Sequence, residues 1–390
     1  MKILYINNFF PIFTGTDSGA SNRSTMFVTA LSKIADVDII SFRGDKQSTI
    51  NNCRIIHSNE IKSIENKGRF DKLCKLFAFH SPERIYTINK EKEKIVDSYL
   101  LLGQYDFVAC RYIREAVECG LLKHSKKLII DVDDNPRDVI LMAAKNAKTF
   151  RNRIYNKLFA HTMDVMVKHI LQKVVCCFHS NPLQAPIEES VYLHNVTMVN
   201  TELPAITEKT PLQIMMVGLF HYGPNLEGLK HFLENVWPLI HQQNPNVKLN
   251  VVGKISSQDI LNKFKTIDGV YLKGFVPDLI DEYKNSRIVI VPIYSGSGTS
   301  VKVVEAMRMN RVCISTPEGV RGYDKYLVDK QDFILAKDDS SFAQQIVELV
   351  NDVQSCNLIA QSAKTKIDEY FSNKKFIDIV INTIKSHTHE

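Results

Sequence analysis

The 390-residue sequence predicts an α/β protein made of two doubly wound domains, each a parallel sheet covered by helices. Three observations carry this reading. Short apolar runs alternate with longer segments of helical period, as parallel βαβ units require. The alternation occurs twice, on either side of a polar stretch from Thr197 to Pro211. Hydrophobic residues make up 44% of the chain and charged residues 24%, enough apolar material for two cores and too much for a disordered chain.

In the first series, strands are expected at Lys2 to Ile6, Val37 to Phe42, Phe107 to Cys110, Leu128 to Val132 and Val174 to Phe178, with a helix from about Ser21 to Ile34. The second series has strands at Leu212 to Val217, Lys248 to Val252, Val270 to Leu272, Ile288 to Pro292 and Val312 to Ser315. Helices are expected between them near Leu226 to His241, Ser257 to Phe264, Leu279 to Asn285 and Val301 to Met309. The expected domains are therefore residues 1–200 and 201–370. A closing helical segment, Asp368 to Ser386, leaves 371–390 to cross back onto the first domain.

The net charge of +6 is too small for a chain of this length to indicate nucleic-acid binding. Eight cysteines, at 53, 74, 110, 119, 176, 177, 313 and 356, include no CxxC pair and sit largely in apolar runs, which fits buried thiols in a reducing compartment. The opening Met1 to Ile6 is interrupted by Asn7, Asn8 and Pro11 and reads as a buried strand, not a signal peptide. No run reaches the roughly 18–20 apolar residues that span a bilayer. A cytoplasmic protein is expected.

The most informative segment runs from Pro292 to Met307. A buried strand ends, the small-residue loop Ser295-Gly296-Ser297-Gly298 follows, and a helix starts near Thr299 or Ser300. Glycine lets a phosphate approach the backbone, and the open N–H groups of a helix start attract anions. Lys302 adds a cation in the first turn, and Glu305 lies one turn on along the same face, where a carboxylate can accept two hydroxyl hydrogen bonds from a ribose. A capped helix with a surface Lys–Glu pair is the bland alternative.

The run from Ser297 to Met307 and the following Val312 to Gly322 resemble the donor-site signature of group 1 (GT4-type) glycosyltransferases. So do Val217-Gly218 followed by Gly223-Pro224-Asn225, then Val251-Val252-Gly253, and Gly274-Phe275-Val276-Pro277-Asp278. Order and spacing agree over roughly residues 211–325. The resemblance implies a GT-B fold of two Rossmann-like domains facing a cleft, the second binding a nucleotide-sugar donor and the first the acceptor. It implies that Gly298, Thr299 and Lys302 hold the diphosphate, Glu305 the ribose and the backbone near Val276 the base, with Gly218 ending the strand beneath the donor. Two departures stand out. Ser297 occupies the position of the usual Glu eight residues before Glu305, and Leu219-Phe220-His221 replace the usual Arg and Lys after Gly218. Phosphate charge then falls to Lys302, Arg321 and backbone amides.

In the first domain, the loop from Phe10 to Ala20 lies between strand and helix, and Gly15 and Gly19 would let it close over the donor phosphates as in similar enzymes. Arg111, at a strand end, is a candidate phosphate ligand or an ordinary surface arginine. Ile129 to Asn135 ends a strand with Asp131, Asp133 and Asp134. Asp133 is expected to face the donor sugar or an acceptor hydroxyl, and Asp134 or Asn135 to cap the next helix; capping alone is the rival. His179 and His221 are weaker candidates.

Between Lys145 and Lys173 seven lysines and arginines face one acid, Asp164, an excess equal to that of the whole chain. Ile154, Leu158, Val165, Met166 and Ile170 recur there at near-helical spacing. The segment reads as a face for an anionic membrane, or as an inward-packed helix with a solvated basic side.

The expected function is retaining transfer of a sugar from a nucleotide-sugar donor to a glycan or lipid-linked acceptor in cell-surface polysaccharide or glycolipid assembly. The expected location is cytoplasmic, either free or peripheral at the inner face of the plasma membrane. Lys302, Glu305 and Asp133 form the catalytic set, and neither metal nor cofactor is expected. The alternatives are a GT-B nucleotide-sugar epimerase or hydrolase, and a nucleotide-binding module that no longer turns over.

Overall fold

A computed structural model describes residues 1–13, 19–45, 50–64, 71–197, 199, 201–255 and 258–388. The chain forms two compact units, Met1–Val196 with Asn373–Glu390, and Thr197–Ser372.

The first unit holds a seven-stranded, all-parallel sheet of β1 (Lys2–Asn7), β2 (Asp36–Ser41), β3 (Cys53–Ser58), β4 (Phe107–Arg111), β5 (Leu128–Asp133), β6 (Cys176–His179) and β7 (Val191–Tyr192), in the order β3-β2-β1-β4-β5-β6-β7. The second unit holds six parallel strands: β8 (Gln213–Val217), β9 (Lys248–Val252), β10 (Val270–Gly274), β11 (Ile288–Val291), β12 (Val312–Ser315) and β13 (Ile334–Leu335). Their order is β10-β9-β8-β11-β12-β13. In each sheet the order reverses at one point, between β1 and β4 or between β8 and β11. There the connections leave in opposite directions and open a crevice at the carboxyl ends of the strands.

Strand residues alternate between the two faces, so a strand covered on both sides is apolar throughout. Ile214, Met216, Ile288 and Ile290 pack on one side of the second sheet with Leu229, Phe232 and Trp237. Met215, Val289 and Val291 face the other way onto Val303, Val304, Ala306 and Met307 of the helix Val301–Arg308. That packing turns the opposite side of the helix, with Lys302 and Glu305, away from the core.

The strands β3, β7 and β13 give no clear sequence signal. β3 is half-buried and carries Arg54 and His57, and the other two are two residues long. The single closing helix expected from Asp368 divides into Val353–Tyr370 and Asn373–Ser386. Phe376, Val380 and Ile384, spaced one turn apart, are fully buried in the second of these, which packs on the helix Gly19–Ser32 of the first unit. The expected apolar stripe in the basic segment also divides. On the helix Phe150–Leu171, Met163, Met166, Val167 and Ile170 turn inward, while Phe150, Ile154 and Leu158 remain exposed.

The helix Gly223–His231 approaches the end of β11 very closely at Gly228, where a Cβ would lie 1.9 Å from the Pro292 carbonyl oxygen. Gly228→Ala must therefore push helix or loop apart. Overpacking of this kind costs about 1–3 kcal/mol, so the urea midpoint should fall with an unchanged slope. An unaltered midpoint in equilibrium unfolding would contradict this packing.

Candidate functional site

The crevice of the second unit is built from backbone. Gly218, just past β8, donates its N–H to the Val252 carbonyl, and Gly253 donates to that of Gly274. Gly253 has φ +130°, and a Cβ on it would overlap the Gly218 carbonyl oxygen at 1.8 Å. A Cβ on Gly218 would press on Asn225 Nδ2 and Lys302 Cε, each at 3.1 Å. Glycine at 253 is thus a steric requirement, and a Cβ at 218 would displace the Asn225 and Lys302 side chains.

Beside Gly218, Lys302 Nζ donates to Asn225 Oδ1 at 3.0 Å, and Asn225 Nδ2 in turn donates to the Leu219 carbonyl at 2.9 Å. Burial lowers the Lys302 pKa to about 8, with the Glu305 charge pulling the other way. Tyr283 Oη donates to Glu305 Oε1 at 2.7 Å and Thr197 Oγ1 to Oε2 at 3.4 Å. Burial raises the Glu305 pKa, and the Tyr283 bond and Lys302 offset part of that rise. Ser300 is the N-cap residue of the helix Val301–Arg308, yet its side chain makes no capping bond, and its buried Oγ has no partner. The Val303 N–H donates to the Ser300 carbonyl at 3.1 Å, and the Ser300 side chain leaves the preceding helix-start amides uncapped, next to a cation.

Gly298 and Thr299 form the partly exposed turn into this helix, and Ser297 is buried in the loop before it. The Arg321 guanidinium donates to the Gly296 carbonyl, so part of its donor capacity goes to holding that loop. Val276, half-buried, packs under the helix beside the exposed Phe275. Sequence reasoning missed Tyr283, Thr197 and Asn225, which orient the two charged groups. It also missed Glu227, whose Oε2 accepts from Ser295 Oγ at 2.9 Å and brings a carboxylate to the loop two residues from Ser297. Their signal is spatial: each lies on a different element from the side chain it serves.

In the first unit, Gly15 lies outside the described residues, and Gly19 opens the helix Gly19–Ser32. Arg111 is 1% exposed, so the reading of it as an ordinary surface arginine is corrected. Its donors go to Asp131 Oδ2 at 2.8 Å, Asp133 Oδ2 at 2.6 Å, the Ala20 carbonyl and Ser24 Oγ. A guanidinium so occupied has little left for a phosphate. Arg23, fully buried, grips both Asp131 oxygens at 2.8 Å. Burial alone would raise the Asp131 pKa, but the two arginines hold it below the usual carboxylate range.

Asp133 keeps some exposure and also accepts from Tyr112 Oη at 3.1 Å. Both Tyr112 and Asp133 have left-handed backbones, φ +70° and +63°, at the ends of neighbouring strands, a strained conformation held by the buried charges. Asn135, not Asp134, caps the next helix, accepting from the Arg137 N–H. Asp134 accepts from Ser180 Oγ instead, and burial followed by the Asp133 charge pushes its pKa up to about 7. His179 is buried and held down to about 4 by desolvation, while His221 is exposed.

Comparison with known proteins points the same way. Residues 211–352 match the family model "Glycosyl transferases group 1". A protein of Klebsiella pneumoniae described as an uncharacterized 44.6 kDa protein in the cps region is 26% identical over 169 residues, which are 42% of this chain and 43% of that relative's length. Sucrose-phosphate synthase from Thermosynechococcus elongatus has a similar structure, with a TM-score of 0.68 at 13% identity, over 99% of this chain and 98% of that one. Anabaena HepE, solved in complex with UDP and glucose, gives 0.65 at 13% identity over 99% and 100%. No described helix is long and apolar enough to cross a membrane. Residues 211–352 therefore resemble the group 1 glycosyl transferases, in a chain with the GT-B fold.

Proposed function

We propose that this protein is a retaining, GT4-type glycosyltransferase that moves a sugar from a nucleoside diphosphate-sugar to a hydroxyl of a glycan or lipid-linked acceptor, without a metal. The observation that carries the reading is the start of the helix Val301–Arg308. There a half-desolvated ammonium and an oriented carboxylate share one face of a helix start that the Ser300 side chain does not cap. The match to the cps-region protein supports a role in cell-surface polysaccharide or glycolipid assembly. HepE, solved with UDP and glucose, makes UDP-glucose the first donor to test.

The chemistry follows from where charge develops. The bond between the anomeric carbon and the diphosphate oxygen breaks, and the electron pair leaves with the diphosphate. Lys302 and the amides offset that growing charge and are in place before the reaction begins. The acceptor oxygen bonds to the anomeric carbon on the face the diphosphate vacates, and its proton passes to a departing diphosphate oxygen. No protein base is required. Asp133 orients the sugar or the acceptor. The Asp131 oxygens are already taken by two arginines, which supports the metal-free reading.

Ser297 favours a second reading, a nucleotide-binding module that does not turn over. Glu227 weighs against it, because the loop has a carboxylate from a neighbouring helix.

Lys302→Ala should weaken UDP binding by about 10- to 150-fold, the worth of a hydrogen bond from a charged group. Because a diphosphate stabilises the protonated amine, wild-type affinity should hold below the free pKa of about 8 and fall about tenfold per pH unit above it, until the complex itself deprotonates. The alanine variant should lack that decline. Calorimetric titration from pH 7 to 10 measures both, and equal affinities for variant and wild type would remove Lys302 from the donor site.

Glu305→Gln should reduce discrimination between UDP and its 2′-deoxy analogue at every pH. Tyr283→Phe removes the hydrogen bond that lowers the Glu305 pKa, so discrimination should be lost at a higher pH than in the wild type. Matched titrations with the two nucleotides test this, and identical pH profiles for the Tyr283 variant and wild type would refute it.

Transfer from UDP-glucose to a glycan acceptor should proceed undiminished in EDTA. Loss of transfer on chelation, with recovery on adding Mg²⁺ or Mn²⁺, would return Asp131 and Asp133 to consideration as ligands.

A further inference from the structure

The first unit carries an apolar surface set in basic charge. The helices Pro136–Lys145 and Phe150–Leu171 pack together as a hairpin, and the second buries Met163, Met166, Val167 and Ile170. Phe150, Ile154 and Leu158, each one turn beyond the last, lie on the opposite side, and Phe150 is 76% exposed. Large apolar side chains in a continuous exposed row mark a surface that meets something other than water.

A second element widens the patch. The segment from Lys72 to His80 runs along the same helix: Thr162 Oγ1 donates to the Leu76 carbonyl at 2.6 Å, Lys72 Nζ lies 5.9 Å from the Tyr155 ring, and the Phe79 and His161 rings meet at 6.0 Å. It brings Leu73 and Phe77, 61% and 65% exposed, alongside the helix. Sequence periodicity did not assign this segment to the patch, because the contact joins residues some eighty positions apart.

Charge identifies the occupant. Lys145, Lys148, Arg151, Arg153 and Lys157 are exposed, and no carboxylate pairs with any of them among the described residues. The one acid of the helix, Asp164, is held by Lys168 at 2.8 Å. We infer that this face docks the protein on an anionic lipid bilayer, with Phe150, Ile154, Leu158, Leu73 and Phe77 entering the headgroup boundary and the lysines and arginines meeting lipid phosphates. Apolar burial and surface potential act together in such attachment, and it is reversible and salt-sensitive. The inference concerns a face remote from the β8–β11 crevice in sequence and does not depend on the transfer reaction.

Co-sedimentation of the full chain with vesicles tests it. At low salt the wild type should pellet with phosphatidylcholine vesicles holding about 30% phosphatidylglycerol, remain in solution with phosphatidylcholine alone, and be released by high salt. Reversing Arg151, Arg153 and Lys157 to Glu should weaken binding on the order of a hundredfold, since each basic residue near the surface contributes roughly fivefold. Leu73→Ser with Phe77→Ser should weaken binding to the anionic vesicles while leaving its salt dependence. UDP affinity should be unchanged in all variants, and a far-UV circular dichroism spectrum and urea midpoint equal to those of the wild type show that the first unit folds. Equal sedimentation with neutral and anionic vesicles, or full retention by the charge-reversed variant, would overturn the proposal. So would concentration-dependent self-association abolished by Leu158→Ser, which would assign the face to a second copy of the chain.

Discussion

Close backbone approach is the constraint on which the second domain is organised. At the carboxyl edge of its sheet the turns after β8 and β9 touch through Gly218 and Gly253, and the helix behind them meets the end of β11 at Gly228. Any side chain at these points would fill the crevice or force its walls apart. Because nothing does, the start of the helix Val301–Arg308 reaches the reversal point of the sheet, where its amides and Lys302 converge. The anion site is thus a product of missing side chains as much as of the charged one that is present.

The two charges of that site are held at some cost. An ammonium brought out of water prefers to lose its proton and a carboxylate to gain one, and Lys302 and Glu305 are shifted in those opposite directions. Asn225 and Tyr283 give each a neutral partner of fixed direction, which orients the group without satisfying its charge. A ligand that brings phosphate to one and hydroxyls to the other completes what the protein leaves open. The first domain uses charge differently. Arg23, Arg111, Asp131 and Asp133 satisfy one another in a buried network that fixes the ends of β4 and β5 and leaves only Asp133 in contact with solvent.

Much of this was legible in the sequence, for physical reasons that differ by element. Strands covered on both faces announce themselves as runs that are apolar throughout or nearly so, so β1, β4, β5, β8, β9, β11 and β12 were visible. The edge strand β3, with Arg54 and His57, was not, since a half-buried strand needs no such run. Lys302 and Glu305 were found because a loop, a helix start and a spacing of three lie within one stretch of chain. Tyr283 and Asn225, no less important to that site, reach it from other helices. Arg111 shows the opposite failure: a basic residue at a strand end fits a phosphate ligand until its buried aspartates are seen.

The return of the helix Asn373–Ser386 to the first unit has a consequence for the order of synthesis. Domains generally fold as units, and the earlier one usually forms first as the chain leaves the ribosome. Here Phe376, Val380 and Ile384 are core residues of the first unit, and Phe376 stacks beneath Arg23 at 5.7 Å. Those residues follow the whole of the second unit along the chain. The first domain therefore emerges with its core open and closes only after the second has had its entire sequence available. A chain cut short before Asn373 leaves the second domain whole and damages the one that was made first.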